Sequence, residues 1–168
     1  MPNVELQKSL NVPAVPARDC ASAILHDIEK NEGEWAGFAL HLHLGALGLP
    51  DVGYIAVPIK LTIKGEETEP RHQIKFTFRS RRSPELFPEF DGAIGIDSTG
   101  PSASQIWLAG KYELPLHGFG RFFDQVVARK AAEQTLQNLL NDLADAIAAW
   151  VEKREIAQAR YRIFGSSD

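Results

Sequence analysis

From about Phe122 to Glu155 the chain contains no glycine or proline, and Leu136, Leu140, Leu143, Ile147 and Trp150 recur there at alternating steps of four and three. Leu139, Ala144 and Val151 widen this stripe, so the segment is predicted to be one amphipathic helix. At ~1.5 Å per residue it reaches on the order of 50 Å. A helix that long, apolar along one side, needs a surface of comparable length to cover it. The segment just before it repeats differently: in Gln105–Leu114, Ile106, Leu108 and Tyr112 share the parity of a strand. The breaker Pro115, Leu116, His117, Gly118, Phe119, Gly120 separates the two periods. A strand running into a long helix across such a breaker implies an antiparallel sheet closed by one C-terminal helix.

The remainder of the chain supplies that sheet. Val4, Leu6, Leu10 and Val12 share one parity against Glu5, Gln7, Ser9 and Asn11, giving a half-buried strand that Pro13 and Pro16 end. From Ala17 to Lys30, Cys20, Ile24, Leu25 and Ile28 fall at helical spacing. Trp35–Leu44 then places Phe38, Leu40, Leu42 and Leu44 on one face of a strand. In Tyr54–Lys64, Ile55, Val57, Ile59, Leu61 and Ile63 oppose Pro58, Lys60, Thr62 and Lys64, with Pro58 marking an edge or a bulge. Gly65–Pro70 reads as an acidic turn, Ile74, Phe76 and Phe78 oppose Lys75, Thr77 and Arg79, and a weaker strand covers Gly92–Asp97. Short connections favour antiparallel neighbours. The expected fold is α+β, a sheet of about six strands curved around the terminal helix.

With 168 residues, 44% of them hydrophobic, the chain fits one domain, placed at 1–155 with a tail at 156–168. A net charge of −4 argues against a polyanion as main partner. Cys20 is the only cysteine, so no intrachain disulfide forms, and a reducing, cytoplasmic setting is expected. Glu5, Gln7 and Lys8 interrupt the apolar residues of Met1–Val12, unlike a signal peptide. No apolar run approaches the roughly 20 residues of a membrane span, so no integral membrane association is expected.

Strand, helix, antiparallel meander and long terminal helix, joined through Leu108, Ala109, Gly110, Lys111, Tyr112, Glu113, Leu114 and the Pro115–Gly120 breaker, resemble the START-like helix-grip superfamily, also called SRPBCC. Asp124 and the cluster Leu136, Leu139, Leu140 extend the resemblance, which runs from Val4 to Trp150. It implies a cavity between the concave sheet and the last helix that holds a small hydrophobic molecule. Members carry or sense lipids, sterols and hormones, act as aromatases and cyclases on polyketides, or bind protein partners. None of the short motifs separating these groups stands in this sequence, so the subfamily is left unassigned.

On that resemblance the lining is Phe38, Leu40, Leu42, Ile59, Leu61, Phe76, Phe78, Ile106, Leu108 and Tyr112 from the sheet, with Phe122, Phe123, Val126 and Val127 from the helix. Tyr112 is the polar handle, because a buried phenol needs a partner. The same residues also suit a solid core, as in a protein-interaction module. A cyclase-like or hydratase-like enzyme would draw on Tyr112 and His117 for proton transfer. Asp124 better complements the helix dipole, and Arg129 better suits solvent. No catalytic residue and no cofactor is assigned.

His41 and His43 point to one side of a strand, as metal ligands would, but His72 has the parity of Ile74 and falls on the opposite face, so no metal site is assigned. Lys60, Lys64, Lys75, Arg79, Arg81 and Arg82 make a basic zone on the outer sheet surface or its loop. Trp107 is the one aromatic placed there, too few for stacking on bases, and nucleic acid is excluded as a partner. Phosphate-binding loops and covalent-catalysis motifs are absent from the sequence.

Overall fold

The computed structural model describes residues 2–31, 39–43, 53–82, 84, 87–113 and 125–164. Strand β1 (Asn3–Leu10) leads to helix α1 (Ala14–Lys30). Strands β2 (Ala39–His43), β3 (Tyr54–Glu67), β4 (Gln73–Ser80), β5 (Glu89–Gly100) and β6 (Ala103–Glu113) follow, and then helix α2 (Gln125–Phe164). The spatial order is β1-β6-β5-β4-β3-β2, every neighbour antiparallel. Five strands, β1 to β3 in that order, make the continuous ladder; β2 lengthens it by pairing only with Tyr54–Pro58. Pro58 thus closes the β2 ladder, where a missing N–H costs least, and its carbonyl accepts from Arg81 N at 3.0 Å.

Two strands outrun their sequence patterns. β5 starts at Glu89 rather than Gly92 because Phe90 keeps the inward parity of Ile94 and Ile96. β3 runs through Gly65 instead of turning there, with Lys64 bulged out between Ile63 and Gly65. The bulge is where α1 is fastened: Glu29 Oε1 accepts from Ile63 N at 2.7 Å, and Ser22 Oγ donates to Glu66 at 3.1 Å. At the other end of α1, Arg18 Nε donates to the Ile96 carbonyl at 2.8 Å. Helix α1 begins at Ala14, with Pro16 in its first turn, where backbone N–H groups have no intrahelical acceptor.

The inward side chains of β1 and of β3 to β6, the buried face of α1 and one face of α2 form a single core cluster. That helix buries Ala128, Ala131 and Ala132 in its first turns and Leu136, Leu139, Leu140, Leu143, Ala144, Ile147 and Val151 farther on. The stripe ends differently from its sequence pattern. Trp150 is turned out beneath Arg154, 5.1 Å from its guanidinium, while Val151 takes the buried place. Nor does the helix stop near Glu155: it continues to Phe164, 40 residues in all. Among the described residues no helix is long and apolar enough to cross a membrane.

The inner face is flattest where Gly92 pairs with Gly110 across β5 and β6. The Phe90 ring folds over both: a Cβ on Gly92 would lie 2.6 Å from Phe90 Cζ, and one on Gly110 would lie 2.8 Å from it and 2.5 Å from the Asp91 carbonyl. Backbone cannot yield at such distances. Gly110→Val is therefore expected to destabilise the fold by about 1–3 kcal/mol, the usual scale of overpacking. Gly65→Ala, with open space around it, should shift the urea midpoint far less; equal midpoints for the two variants would contradict this packing.

Candidate functional site

Cross-strand register places Leu61, Phe78, Phe90 and Tyr112 in one row across β3, β4, β5 and β6. Phe76 stands beside the row, 5.5 Å from Phe90 and 6.3 Å from Phe78 between ring centroids, and Phe78 lies 5.4 Å from Phe90. Rings at these separations gain roughly 0.5–1.5 kcal/mol per pair beyond burial. At the end of the row Tyr112 Oη donates to Glu133 Oε1 on α2 at 3.2 Å. Arg129 Nε, one turn earlier on α2, donates to the same carboxylate oxygen at 3.0 Å. The inner surface is thus an aromatic strip ending in a phenol, a carboxylate and a guanidinium.

Burial, with the Glu133 charge added, holds the Tyr112 phenol above its ordinary range. It stays protonated at neutral pH as a hydrogen-bond donor and makes a poor general base. The other proton-transfer residue expected from the sequence, His117, lies outside the described residues, as do Phe38, Phe122, Phe123 and Asp124.

Of the expected lining, Ile59, Leu61, Phe76, Phe78, Ile106, Leu108 and Tyr112 all come together on the inner face, none more than 4% exposed. A side chain bordering a water-sized void keeps accessible area, so the described part of the interior is closed around these residues. Leu42 is in β2 opposite Ile55. Val127 is half-buried, whereas Val126, grouped with the lining by sequence, is 70% exposed. Phe90 was missing from the sequence-based set because it stands next to a loop, although its parity with Ile94 and Ile96 was the available signal. Glu133 carried no signal, since only the tertiary fold brings it over Tyr112.

The histidines separate. His41 and His43 are opposite Ala56 and Tyr54 near the start of β3. His72 is at the far end of that strand, with Nε2 3.3 Å from Glu66 Oε1. Ala56 and Glu66 are separated by roughly 30 Å of strand at ~3.3 Å per residue, so the backbone positions of His41 and His43 lie far from that of His72.

On the outer face, the expected basic zone is interleaved with acids. Lys64 bonds Asp91 at 2.8 Å, Lys75 bonds Glu67 at 2.5 Å, and Lys60 and Arg79 border a hollow of about 490 Å³ together with Glu89, Asp91 and Glu113. Trp107 does face outward but is only 8% exposed. Arg71 covers its ring at 4.2 Å, and Gly95 leaves room beneath it. Arg71 Nε bonds both oxygens of Asp97 at 2.8 and 3.0 Å, and this holds the Asp97 carboxyl below the usual carboxylate range. Among the described residues, the Trp107 ring is thus covered rather than open for a base to stack on.

No protein-family model matches the chain, and no curated sequence does. Among solved structures, a conserved protein from Geobacillus kaustophilus is similar at a TM-score of 0.53 and 12% identity, over 88% of this chain and 96% of that one. The fold is a helix grip, an antiparallel sheet closed by the long C-terminal helix α2. Looser overlaps occur with Ara h 8.0201 (12% identity, 88% and 98% covered, TM-score 0.48) and with a START superfamily protein from Mycobacterium smegmatis (14%, 90% and 97%, TM-score 0.41). The gripping element is α2, and what it holds against the helix-grip sheet is the aromatic strip.

Replacing Tyr112 by Phe leaves the strip but deletes the bond to Glu133, which should cost about 0.5–1.5 kcal/mol in chemical denaturation at neutral pH. Because the folded state holds the phenol proton more tightly, that stability is present below the ordinary phenol pKa and is lost as pH rises through the elevated one. An alkaline ultraviolet titration should therefore show a late-titrating tyrosine that Tyr112→Phe removes; no difference between the two curves would refute the burial argument.

Proposed function

We propose that this chain binds a small hydrophobic molecule, lipid-like or polycyclic, between the aromatic strip and the first turns of α2. The observation that carries this reading is the way the strip ends: three packed phenylalanines lead to one buried phenol already held by a carboxylate. Pockets for such molecules are mostly apolar with a few placed polar groups that fix orientation. The Tyr112 phenol, backed by Glu133 and Arg129, is the polar end of this apolar strip and suits a guest with a single hydroxyl at one end. The lining within the described residues is Ile59, Leu61, Phe76, Phe78, Ile106 and Leu108, with Val127 at its edge.

The near-zero exposure of the described lining makes the present state a closed one. Uptake then requires the first turns of α2 to part from the strip. These turns meet the sheet through Ala128, Ala131 and Ala132, which bury less area than the leucines farther along, so this end of the grip is the weaker one. The reading assigns no catalytic group, since Tyr112 keeps its proton, and it places the protein in the cytoplasm, where Cys20 stays a thiol.

A second reading, a protein-interaction module with a solid interior, is favoured by the 0% exposure of Phe76, Ile106 and Leu108. Native mass spectrometry of the purified protein separates the two. The binding reading expects a co-purifying hydrophobic molecule and a rise in melting temperature with added hydroxylated polycyclic or fatty ligands. Tyr112→Phe should weaken a hydroxylated ligand about tenfold and leave its deoxy analogue unchanged, a difference of about 1.4 kcal/mol. Absence of both a bound molecule and any ligand-induced shift would establish the solid core instead; turnover of the ligand would establish the enzyme.

A further inference from the structure

The outer face of the sheet sets like charges against each other. Lys60 of β3 is the direct cross-strand partner of Arg79 of β4, and Glu89 of β5 is the direct partner of Glu113 of β6. Like charges at such positions repel and weaken the pairing. Among the described residues, no ion pair or hydrogen bond holds any of these four side chains, whereas Lys64 takes Asp91 and Lys75 takes Glu67.

The two pairs flank a break in the ladder. β4 and β5 pair only as far as Phe78 and Phe90, one residue short of Arg79 and Glu89. The β3–β4 ladder continues to Ile59 and Ser80, and the β5–β6 ladder to Glu89 and Glu113. At this end the outer face therefore divides into a cationic side on β3 and β4 and an anionic side on β5 and β6. All four residues border the hollow of about 490 Å³, together with the cross-strand pair Thr62 and Thr77. That volume is in the range of small-molecule sites.

We propose that this hollow binds a small zwitterion, a primary ammonium at one end and a carboxylate at the other. The carboxylate takes Lys60 and Arg79, whose guanidinium fork matches it with two parallel bonds. The ammonium takes Glu89 and Glu113. A simple anion drawn to the first pair is repelled by the second, and a simple cation the reverse; a zwitterion relieves both repulsions at once. Adjacent strands are ~4.8 Å apart, so the centres of the two pairs are roughly 10 Å apart, and the long side chains shorten that span. An ω-amino acid or a short peptide carries its charges at such a separation. The rings of Phe78 and Phe90 are buried on the inner face, so they offer the hollow no open aromatic surface of the kind that recognises quaternary ammonium groups. The site is on the face of the sheet opposite the aromatic strip and does not depend on a guest there.

A titration of the backbone amides of the full chain by nuclear magnetic resonance, with ε-aminohexanoate at low salt, tests this. The expected result is saturable shifts at residues 60–62, 77–79 and 89–91, weakening as salt rises. Hexanoate and hexylamine, each with one of the two charges, should bind at least about tenfold more weakly, since each forgoes the charge-assisted bonds at one end. Lys60→Gln with Arg79→Gln should lower the affinity for ε-aminohexanoate to that for hexylamine, and Glu89→Gln with Glu113→Gln should lower it to that for hexanoate. All four positions are exposed and each double variant removes a repulsion, so melting temperatures should not fall. Zwitterion binding no tighter than that of the singly charged probes would overturn the proposal. So would the absence of saturable shifts, or double variants that bind as the wild type does.

Discussion

The structure depends on how closely a ring can lie against bare backbone. Gly92 and Gly110, paired across β5 and β6, leave a flat place on the inner face, and the Phe90 ring folds onto it. From that position Phe90 touches Phe76 on one side and Phe78 on the other, and the three rings become one strip instead of separate knobs. Tyr112, the cross-strand partner of Phe90, is carried to the end of the strip by the same register. The height of the strip sets the height of α2 above it, and so places Glu133 within hydrogen-bond reach of the phenol. A side chain at either glycine would lift the ring and with it everything that rests on the ring.

The second constraint is polar. An antiparallel sheet whose ladder is interrupted by bulges leaves backbone groups that the ladder does not satisfy, and α1 reaches two strand backbone groups with side chains. Glu29 takes the Ile63 N–H at the bulge, and Arg18 takes the Ile96 carbonyl at the other end. Both partners are strand backbone, so α1 is fixed at two separated points and its apolar face, from Ala17 to Ile28, is held in register with the core. Each bond to a charged side chain is worth on the order of 1.5–3 kcal/mol, comparable with burying one aliphatic side chain. The docking of α1 is thus as much a matter of two hydrogen bonds as of its hydrophobic stripe.

The sequence exposed the periods of these elements well and their contacts poorly, for a physical reason. Parity along a strand is local, so Phe76, Phe78, Ile106, Leu108 and Tyr112 could be assigned to one face from their own neighbours, and all are buried there. Phe90 shares that parity but lies before Gly92, where the strand pattern expected from the sequence begins. Trp107 was correctly turned outward, yet its burial comes from Arg71 and Gly95, which belong to other strands and leave no mark in its own segment. The Glu133 carboxylate over Tyr112 is likewise a contact between elements 21 residues apart, invisible to any period. The helix end was misplaced because Glu155 is where the apolar stripe fades, not where the hydrogen-bonded backbone stops.

That last mismatch bears on what α2 is for. A stripe that buries from Ala128 to Val151 is long enough to cover the sheet and to pack against α1, and nothing in the domain needs the turns beyond it. Those turns nevertheless hold to helix-forming residues, Ala157, Gln158, Ala159 and Arg160 among them, with no glycine or proline until Gly165. Propensity alone leaves so short a segment marginal, but here the buried stripe has already nucleated the helix, so each added turn needs only the cheaper step of propagation. The grip therefore stiffens the extension, and one helix presents two surfaces at fixed orientation: an alanine-lined and leucine-lined face toward the core, and an exposed, charged one beyond the domain.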